Sequence, residues 1–457
     1  MASLYFDEAL LPQGWARNVR VAFAGGRIAG VTTGVEPGAG DERHAVGLPG
    51  MPNLHSHAFQ RGMAGLAELR GPSSDSFWTW REVMYRFAHR MTPEDVEAVA
   101  AELYVEMLET GFTRVGEFHY LHHDRDGEPY ADIGEMAARI ANASATAGIG
   151  LTLLPVFYAH GGFGGAAHAP GQRRFVNDLD GFARLMESAR RAVAPLEGAV
   201  IGVAPHSLRA VTQDELASLV PLARSGPVHI HVAEQMREVE DCLAWSGARP
   251  VEWLLDHAPV DRDWCLIHAT HMTPRERDDM AKAGAVAGLC PITEANLGDG
   301  TFDAPEFVAA GGEYGVGSDS NVLVGLPDEL RQLEYSQRLR HRARNVMAGE
   351  EGRSTGRALY EAALAGGSRA LGVGGPGAGK AGLVEGACAD LISLAVDHPA
   401  LVSHRGDAVL DGFVFAARDK MIDCVWRGGR KLVSEGRHPQ RDACLSGFRA
   451  AMERLLS

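Results

Sequence analysis

The sequence lacks several features that would place it in a broad class. Its six cysteines form no CxxC pair and are widely spaced, which argues against a disulfide framework and is typical of reduced cysteines. No apolar run approaches the roughly 20 residues needed to cross a bilayer. The first stretch, MASLYFDEAL, has no basic segment before an apolar core, so a signal peptide is not expected. We therefore expect a cytoplasmic protein.

An excess of positive charge is also missing. The 457 residues carry a formal net charge of -15, with 46% hydrophobic and 23% charged residues, which is ordinary for a globular protein. This balance argues against nucleic acid or an anionic membrane as a partner. An anionic substrate would need a local cluster of arginines.

Short apolar runs alternate with helical patterns from residue 48 onward. Eight such runs occur, from GLPGMPNLH to EYGVGSD, and the segments between them, such as TPEDVEAVAAELYVEMLETG, have apolar residues at helical spacing. This alternation predicts parallel strands, and eight repeats favour a (β/α)8 barrel over residues 48–385. An open doubly wound sheet is the alternative, but no GxGxxG follows the first strand.

The two chain ends have a different pattern. Residues 1–47 and 386–435 contain short β-like runs with glycine turns, and we expect them to form one small β-sandwich domain together. In residues 436–457, Leu445, Phe448, Met452 and Leu455 lie on one helical face, which predicts a docking helix.

The stretch GGPGAGK, residues 374–380, nearly matches a phosphate loop. Ala381 replaces the hydroxyl residue and no strand precedes the motif, so a connector is predicted.

Polar side chains follow the predicted strands at the same end. In a barrel, reactive residues gather at the C-terminal ends of the strands. HxH at the first strand places two imidazoles on one face, because alternate strand residues point the same way. The residues at the eight ends are His55 and His57, Glu117 to Tyr120, Tyr158, His206, His231 with Glu234, His268, Cys290, and Asp319.

This pattern resembles the amidohydrolase superfamily, whose barrels hold one or two divalent metals that activate water. The resemblance covers essentially the whole chain and implies four ligands, with His268 close by: His55, His57, His231 and Asp319. Such ligands suit Zn²⁺, and Fe²⁺ or Mn²⁺ would also fit. Two-metal members usually bridge their ions with a lysine of the fourth strand. All four lysines here follow the fifth strand, which favours one metal per chain and leaves only a glutamate bridge open.

The stretch HVAE resembles the deaminase branch of the superfamily, in which a glutamate three residues after the strand-five histidine transfers a proton. His231 with Glu234 has this offset. His229 lies on the same strand face and is the alternative ligand, although a structural histidine of the barrel interior is the simpler interpretation. By the same resemblance, Asp319 is a ligand and general base, Glu234 delivers a proton to the leaving nitrogen, and His268 is the third catalytic residue.

Longer stretches resemble the formimidoylglutamate deiminases of bacterial histidine degradation. They are FWTWREVMYRFAHRMTPED, GFTRVGEFHYLHH, APHSLRAV, HVAEQMREVEDCLAWSGARPVEWL and CPITEANLGDG. The resemblance implies hydrolysis of N-formimidoyl-L-glutamate to N-formyl-L-glutamate and ammonia, and superfamily habit suggests a homodimer.

That small-molecule substrate has two carboxylates, which guanidinium groups bind well. The matching motifs contain the expected substrate-binding residues Gln60, Arg81, Tyr120, His206 and Arg209. The run QRLRHRARN, residues 337–345, is interpreted as a solvated face. A deaminase of a guanine-type base or a guanidino acid is the nearer alternative. A purine deaminase, however, would have less use for two arginines beside the metal. A barrel without catalysis, acting as a scaffold, is the other alternative.

Overall fold

The computed structural model describes residues 2–71, 77–373, 381–416 and 421–457. The GGPGAGK stretch at 374–380 lies outside these residues, so its interpretation as a connector stays a prediction. The strands are β1 (Ala2–Leu11), β2 (Gly14–Ala24), β3 (Arg27–Thr32), β4 (Glu42–Pro49), β5 (Met51–Ser56), β6 (Phe112–His119), β7 (Gly150–Phe157), β8 (Val200–Ile201), β9 (Ala204–Pro205), β10 (Val228–Val232), β11 (Trp264–His268), β12 (Val286–Leu289), β13 (Glu313–Val316), β14 (Leu391–Leu394), β15 (Ile422–Arg427) and β16 (Arg430–Val433).

The helices connect these strands. They are α1 (Phe77–Ala88), α2 (Pro93–Glu109), α3 (Glu135–Ala147), α4 (Leu179–Val193), α5 (Gln213–Leu219), α6 (Met236–Ser246), α7 (Pro250–His257), α8 (Pro274–Ala283), α9 (Pro291–Leu297), α10 (Ala304–Ala309), α11 (Leu326–His341), α12 (Thr355–Ala370), α13 (Asp407–Asp411) and α14 (Arg441–Leu456). Two of them, α2 and α8, begin at a Thr-Pro pair, which is a favourable helix start. Thr92 and Asp95 at the start of α2, for example, exchange side chain–backbone hydrogen bonds as a capping box.

The central strands form two parallel sheets. One has the order β5-β6-β7-β8, with β9 also pairing with β7, and the other has the order β10-β11-β12-β13. Single parallel bridges join the sheet edges at Ser56–Asp319, Val203–Val228 and Ser207–His231. β5, β6, β7 and β10 are buried along their whole length, as expected for strands covered on both faces. The predicted alternation of parallel strands and helices is therefore confirmed.

Strands from both chain ends form one further sheet. Its order is β16-β15-β14-β4-β1-β2-β3, so the N-terminal strands pair with the C-terminal ones through β4 and β14. Residues of β1, β2, β14 and β15 share a separate hydrophobic core. Main-chain hydrogen bonds from Ile28 N to Ala387 O (2.9 Å) and from Ala389 N to Gly26 O (3.0 Å) tie the β2–β3 hairpin to the segment before β14. The two ends of a single sheet therefore enclose this core, where the sequence predicts a sandwich.

The last helix, α14, lies on α2. Arg441 forms ion pairs with Glu102 and Glu109 of α2, and Arg454 pairs with Asp95. Leu455 is buried. Within the described residues, no helix is both long and apolar enough to cross a membrane.

Candidate active site

Three imidazoles and one carboxylate meet where the two parallel sheets adjoin. His55 Nε2 lies 3.1 Å from His231 Nε2 and 3.6 Å from Asp319 Oδ1, and His57 Nε2 lies 3.2 Å from the same oxygen. One donor atom from each of the four residues lies within 4.8 Å of all the others, and all four residues are buried. The structure thus brings together the four residues that the sequence predicts as ligands.

The backbone holds these side chains in place. Asp319 N donates to His55 O and His57 N donates to Asp319 O, both at 2.9 Å, which ties the segment after β13 to the end of β5. Gly317 makes this approach possible, because a Cβ there would lie 2.7 Å from His55 N. Asp319 (φ 46°), His268 (φ 67°) and Ala233 (φ 52°) have left-handed backbones. Such strain costs on the order of 1–3 kcal/mol per residue and concentrates at functional sites.

The hydrogen bonds of the histidines orient their free nitrogens toward one another. His57 Nδ1 donates to Phe118 O at 2.9 Å, and His231 Nδ1 donates to His206 O at 3.0 Å, so the Nε2 atoms of both rings carry lone pairs. Burial lowers the pKa of His57 to about 3 and also lowers the pKa of His55 and His231, so these rings are neutral at pH 7. Lone pairs that converge beside a carboxylate fit one divalent cation.

A second group of charges surrounds His268. Its Nδ1 donates to Glu294 Oε1 at 3.3 Å, while its Nε2 lies 3.8 Å from both Glu234 Oε1 and Asp319 Oδ2. Burial alone would lower the pKa of His268, but Glu234, Glu294 and Asp319 together raise it to about 10. The ring is therefore a cation at neutral pH. Glu294 is itself positioned by the N–H of Cys290, at 2.9 Å.

The two carboxyls that face His268 hold protons more readily than usual. Burial raises the pKa of Asp319 to about 7, although the nearby His268 acts to lower it. Burial also raises the pKa of Glu234, and the neighbouring carboxylates Glu238 and Glu294 add to the effect. A pKa of about 7 suits Asp319 to accept a proton and to give it back, and a raised pKa makes Glu234 a better proton acceptor than an ordinary carboxylate.

These groups line one cavity that opens to solvent. Its lining includes every predicted catalytic and substrate-binding residue, together with His57, His231 and several aromatic side chains. The residues are His57, Gln60, Phe77, Trp80, Arg81, Met84, Tyr85, Tyr120, Tyr158, Phe175, His206, Arg209, His231, Glu234, His268, Thr293, Leu297 and Asp319. His55 lies behind this surface.

Two arginines in the cavity form no ion pair with any carboxylate of the described residues. The guanidinium carbons of Arg81 and Arg209 lie 4.5 Å and 5.5 Å from the ring centre of Trp78, a favourable distance for cation–π contact. Neither side chain pairs with a carboxylate within the described residues, and the buried Nε of each has no hydrogen-bond partner. Burial lowers the pKa of Arg209, but Glu238, Tyr158 and Glu234 raise it overall, so its charge is retained.

Neutral hydrogen-bonding groups complete the wall. Gln60 Nε2 donates to Tyr120 Oη at 2.7 Å, which leaves the buried Gln60 Oε1 without a partner. His206 Nδ1 lies 3.1 Å from Ser207 Oγ. Burial and the charge of Arg209 lower the pKa of His206, so its ring is neutral. These atoms can bind polar groups of a ligand.

The structure also shows the positions of other residues that the sequence analysis named or missed. His229 Nε2 donates to Ala370 O at 2.7 Å, so this ring is a structural histidine of the interior. Sequence reasoning missed Glu294, although it lies within the quoted stretch CPITEANLGDG, and it missed the aromatic residues Tyr85 and Phe175. Glu117 is buried behind the cavity, where it accepts hydrogen bonds from Ala58 N and Tyr104 Oη.

Comparison with known proteins assigns the chain to a family. Residues 46–432 match the model of the amidohydrolase family, and residues 1–45 match the model "Formimidoylglutamate deiminase HutF, N-terminal domain". A formimidoylglutamate deiminase from Pseudomonas aeruginosa is 49% identical over 460 residues, covering 100% of both chains. The chain belongs to the amidohydrolase family, among the formimidoylglutamate deiminases.

Further relatives and solved structures are similar to this chain over most of their length. A 5-methylthioadenosine/S-adenosylhomocysteine deaminase from Natronomonas pharaonis is 28% identical over 85% of this chain and 81% of its own. The crystal structure of an amidohydrolase from Brucella melitensis covers 100% of both chains with 63% identity and a TM-score of 0.96. An adenosine deaminase from Xanthomonas campestris, with bound zinc, shares the fold at 20% identity and a TM-score of 0.81, covering 100% of this chain and 98% of its own.

Proposed function

We propose that this chain hydrolyses N-formimidoyl-L-glutamate to N-formyl-L-glutamate and ammonia, a step of histidine degradation. The observation that carries the proposal is the pair of arginines Arg81 and Arg209, which lie in the same cavity as the His/Asp cluster and form no ion pair with a carboxylate of the described residues. The full-length similarity to the Pseudomonas aeruginosa deiminase supports it.

The substrate has charges that complement the two parts of the cavity. Its two carboxylates match the guanidinium groups of Arg81 and Arg209, which can each bind a carboxylate through two parallel hydrogen bonds. Its cationic formimidoyl head matches the carboxyls of Glu234 and Asp319.

His55, His57, His231 and Asp319 would hold one divalent metal ion, which we assign as Zn²⁺ because three imidazoles and a carboxylate are ligands that zinc prefers. When bound, such an ion lowers the pKa of a coordinated water and supplies hydroxide near neutral pH. The two Nε2 atoms of His55 and His231, 3.1 Å apart, need either a shared proton or a shared cation between them. Their low pKa values favour the cation.

The side chains around this centre would transfer the protons. Asp319 accepts the proton of the attacking water through Oδ2, the oxygen that faces His268. Glu234, as a carboxylate, hydrogen-bonds the imino nitrogen and moves the hydroxyl proton of the tetrahedral intermediate to that nitrogen, so that the C–N bond breaks and ammonia leaves. The proton held by Asp319 is then released and converts ammonia to ammonium. His268, held as a cation by Glu294, donates from Nε2 and stabilises the negative charge that develops on the attacking oxygen. Acid–base catalysis of this kind contributes on the order of 10² to 10⁴ in rate.

The architecture around the site is proposed with the function. We propose a closed (β/α)8 barrel, because single parallel bridges occur at both edges where the two sheets adjoin. The homodimer, the cytoplasmic location and the domain limits 1–47, 48–385, 386–435 and 436–457 stay predictions, as do a preference for zinc over iron or manganese and the lack of nucleic-acid or membrane partners.

An ammonia-release assay tests this function. Purified protein would be assayed with N-formimidoyl-L-glutamate, formamidine, guanine and a guanidino acid, and its metal content measured in parallel. We expect rapid turnover of the first compound only, loss of activity with a chelator, and recovery with Zn²⁺. Equal turnover of formamidine would refute the role of the carboxylates, and preferred turnover of guanine or the guanidino acid would establish the nearer alternative. Inactivity of the metal-loaded protein on all four compounds would refute the proposed reaction.

A further inference from the structure

Helix α1 carries much of the substrate side of the cavity. Arg81, Met84 and Tyr85 line the cavity, and Trp78 contacts Arg81 and Arg209. The segment before α1, residues 72–76, lies outside the described residues. The contacts at the C-terminal end of α1 lie within the described residues.

Arg174 lies at that C-terminal end. Its Nη1 donates to Ala88 O, the last residue of α1, and to Met91 O at 3.0 Å. Its Nε donates to His123 O at 2.8 Å, in the segment after β6. The N–H groups of His122 and His123 in turn both donate to Arg174 O at 3.0 Å. One residue thus joins the end of α1 to the segment that follows Tyr120.

The burial of the Arg174 guanidinium costs free energy. Arg174 is 0% exposed, and it forms no ion pair with a carboxylate within the described residues. A buried guanidinium needs compensation for its lost hydration. Here the compensation comes from the main-chain carbonyls of Ala88, Met91 and His123 and from the hydroxyl of Tyr130. Ala88 O lies at the C-terminal end of α1, where the helix dipole favours a nearby cation.

The residues beside Arg174 also contact α1 and the cavity wall. Gly171 lies beneath the ring of Tyr85, since a Cβ at Gly171 would be 2.8 Å from that ring. Gln172 Nε2 donates to Tyr158 Oη at 2.7 Å. Phe175 packs against Tyr85 and Tyr120, with ring centres 5.9 Å and 5.0 Å apart. This segment therefore sets the spacing between α1 and the opposite wall.

We propose that Arg174 is a positioning residue that sets the location of α1 and, through it, of the Arg81 guanidinium toward the substrate carboxylate. The inference rests on the proposed function. Arg81 precedes Ala88 by seven residues, about 10 Å along the helix axis, so a tilt at the end of α1 displaces its side chain. A displacement of about 1 Å can cost about 10²-fold in a positioned reaction.

Arg174→Met and Arg174→Lys test this role by steady-state kinetics with N-formimidoyl-L-glutamate. We expect KM to rise at least about tenfold for Arg174→Met, with kcat within about threefold and normal metal content, because the substrate loses a positioned partner while the chemical groups stay. Arg174→Lys should restore part of the loss. In an Arg81→Met background, Arg174→Met should change KM less than about twofold, because the two residues act through one contact.

Amide hydrogen exchange of residues 77–88 gives a readout that needs no substrate. Exchange in α1 should be faster in Arg174→Met than in the wild type. Arg114→Met is the matched control, because Arg114 is also a buried arginine that donates to main-chain carbonyls, at Leu151 and Gly198, but lies outside the cavity lining. It should leave KM and the exchange of α1 unchanged.

The outcomes separate this inference from the proposed function. Unchanged exchange of α1 in Arg174→Met, an unchanged KM, or a fall in kcat together with metal content would overturn the positioning role. Additive effects of Arg174→Met and Arg81→Met on KM would overturn the route through Arg81. Failure of the wild-type protein to hydrolyse N-formimidoyl-L-glutamate would instead refute the proposed function, and the exchange experiment would still decide whether Arg174 holds α1.

Discussion

Glu294 accepts a hydrogen bond from His268 Nδ1 at 3.3 Å and so directs the opposite nitrogen of that ring toward Glu234 and Asp319. The imidazole is thereby held between three carboxyl groups, and its pKa lies at about 10. We therefore expect His268 to act as a hydrogen-bond donor rather than as a fourth imidazole ligand. The same arrangement also makes the charge of Glu294 a determinant of the pH dependence.

Glu294→Gln should shift the alkaline limb of the kcat–pH profile to lower pH. The protonated form of His268 exists below its pKa, and the negative charge of Glu294 raises that pKa. Removing the charge lowers the pKa, so the active form is lost earlier as the pH rises. The profile would be measured with Glu313→Gln, an exposed carboxylate, as the control. If the alkaline limb did not shift, the protonated form of His268 would not be required for catalysis.

His55→Ala or His57→Ala should lower metal content and activity together, because each variant removes one of four ligand atoms that lie within 4.8 Å of one another. Metal analysis of the purified variants, beside the ammonia assay, measures both. His229→Gln is the matched control, since this buried ring donates to Ala370 O and contributes no ligand. If His229→Gln lost its metal while His55→Ala kept full metal occupancy, His229 would be the metal ligand and His55 would not.

The site could be predicted from the sequence as far as local periodicity reaches. The HxH pair follows from strand alternation, and the end-of-strand positions of His231, His268 and Asp319 follow from the repeated strand–helix pattern. These residues meet because parallel strands place their carboxyl ends on one side. That part of the prediction needed no knowledge of long-range contacts.

Other features depend on contacts that local patterns do not encode. Glu294 acts through a ring 26 residues away, and Arg174 binds main-chain carbonyls, which every residue has. The chain-end strands belong to one sheet, in which pairing such as that of β4 with β14 and hydrogen bonds such as Ile28 N to Ala387 O join residues from opposite ends of the chain. Strand periodicity predicts the faces of a sheet but does not specify such pairing.

Glu234→Gln should keep the metal and lose turnover. The two side chains are nearly isosteric, so the cavity and the ligand cluster stay in place, but an amide cannot pass a proton to the departing nitrogen. We expect kcat to fall by at least about 10²-fold. Stopped-time ammonia assays with metal analysis of the same sample measure this change. A kcat within about threefold of the wild type would remove Glu234 from the proton transfer.

Arg209→Met should weaken substrate binding and leave the metal centre intact. Arg209 retains its charge in the cavity and forms no ion pair with a carboxylate in the part of the chain that the structure describes, so we expect a substrate carboxylate to pair with it. Losing one partner of a desolvated charge pair costs about 2–5 kcal/mol, and kcat/KM should fall accordingly. Arg237→Met is the matched control, because Arg237 contacts the same Trp78 ring at 4.7 Å but is 64% exposed and near Asp241. Formamidine, which has no carboxylate, should be hydrolysed equally slowly by the wild type and by Arg209→Met. If Arg209→Met kept its full kcat/KM for N-formimidoyl-L-glutamate, or slowed formamidine to the same extent, this arginine would not be the carboxylate partner.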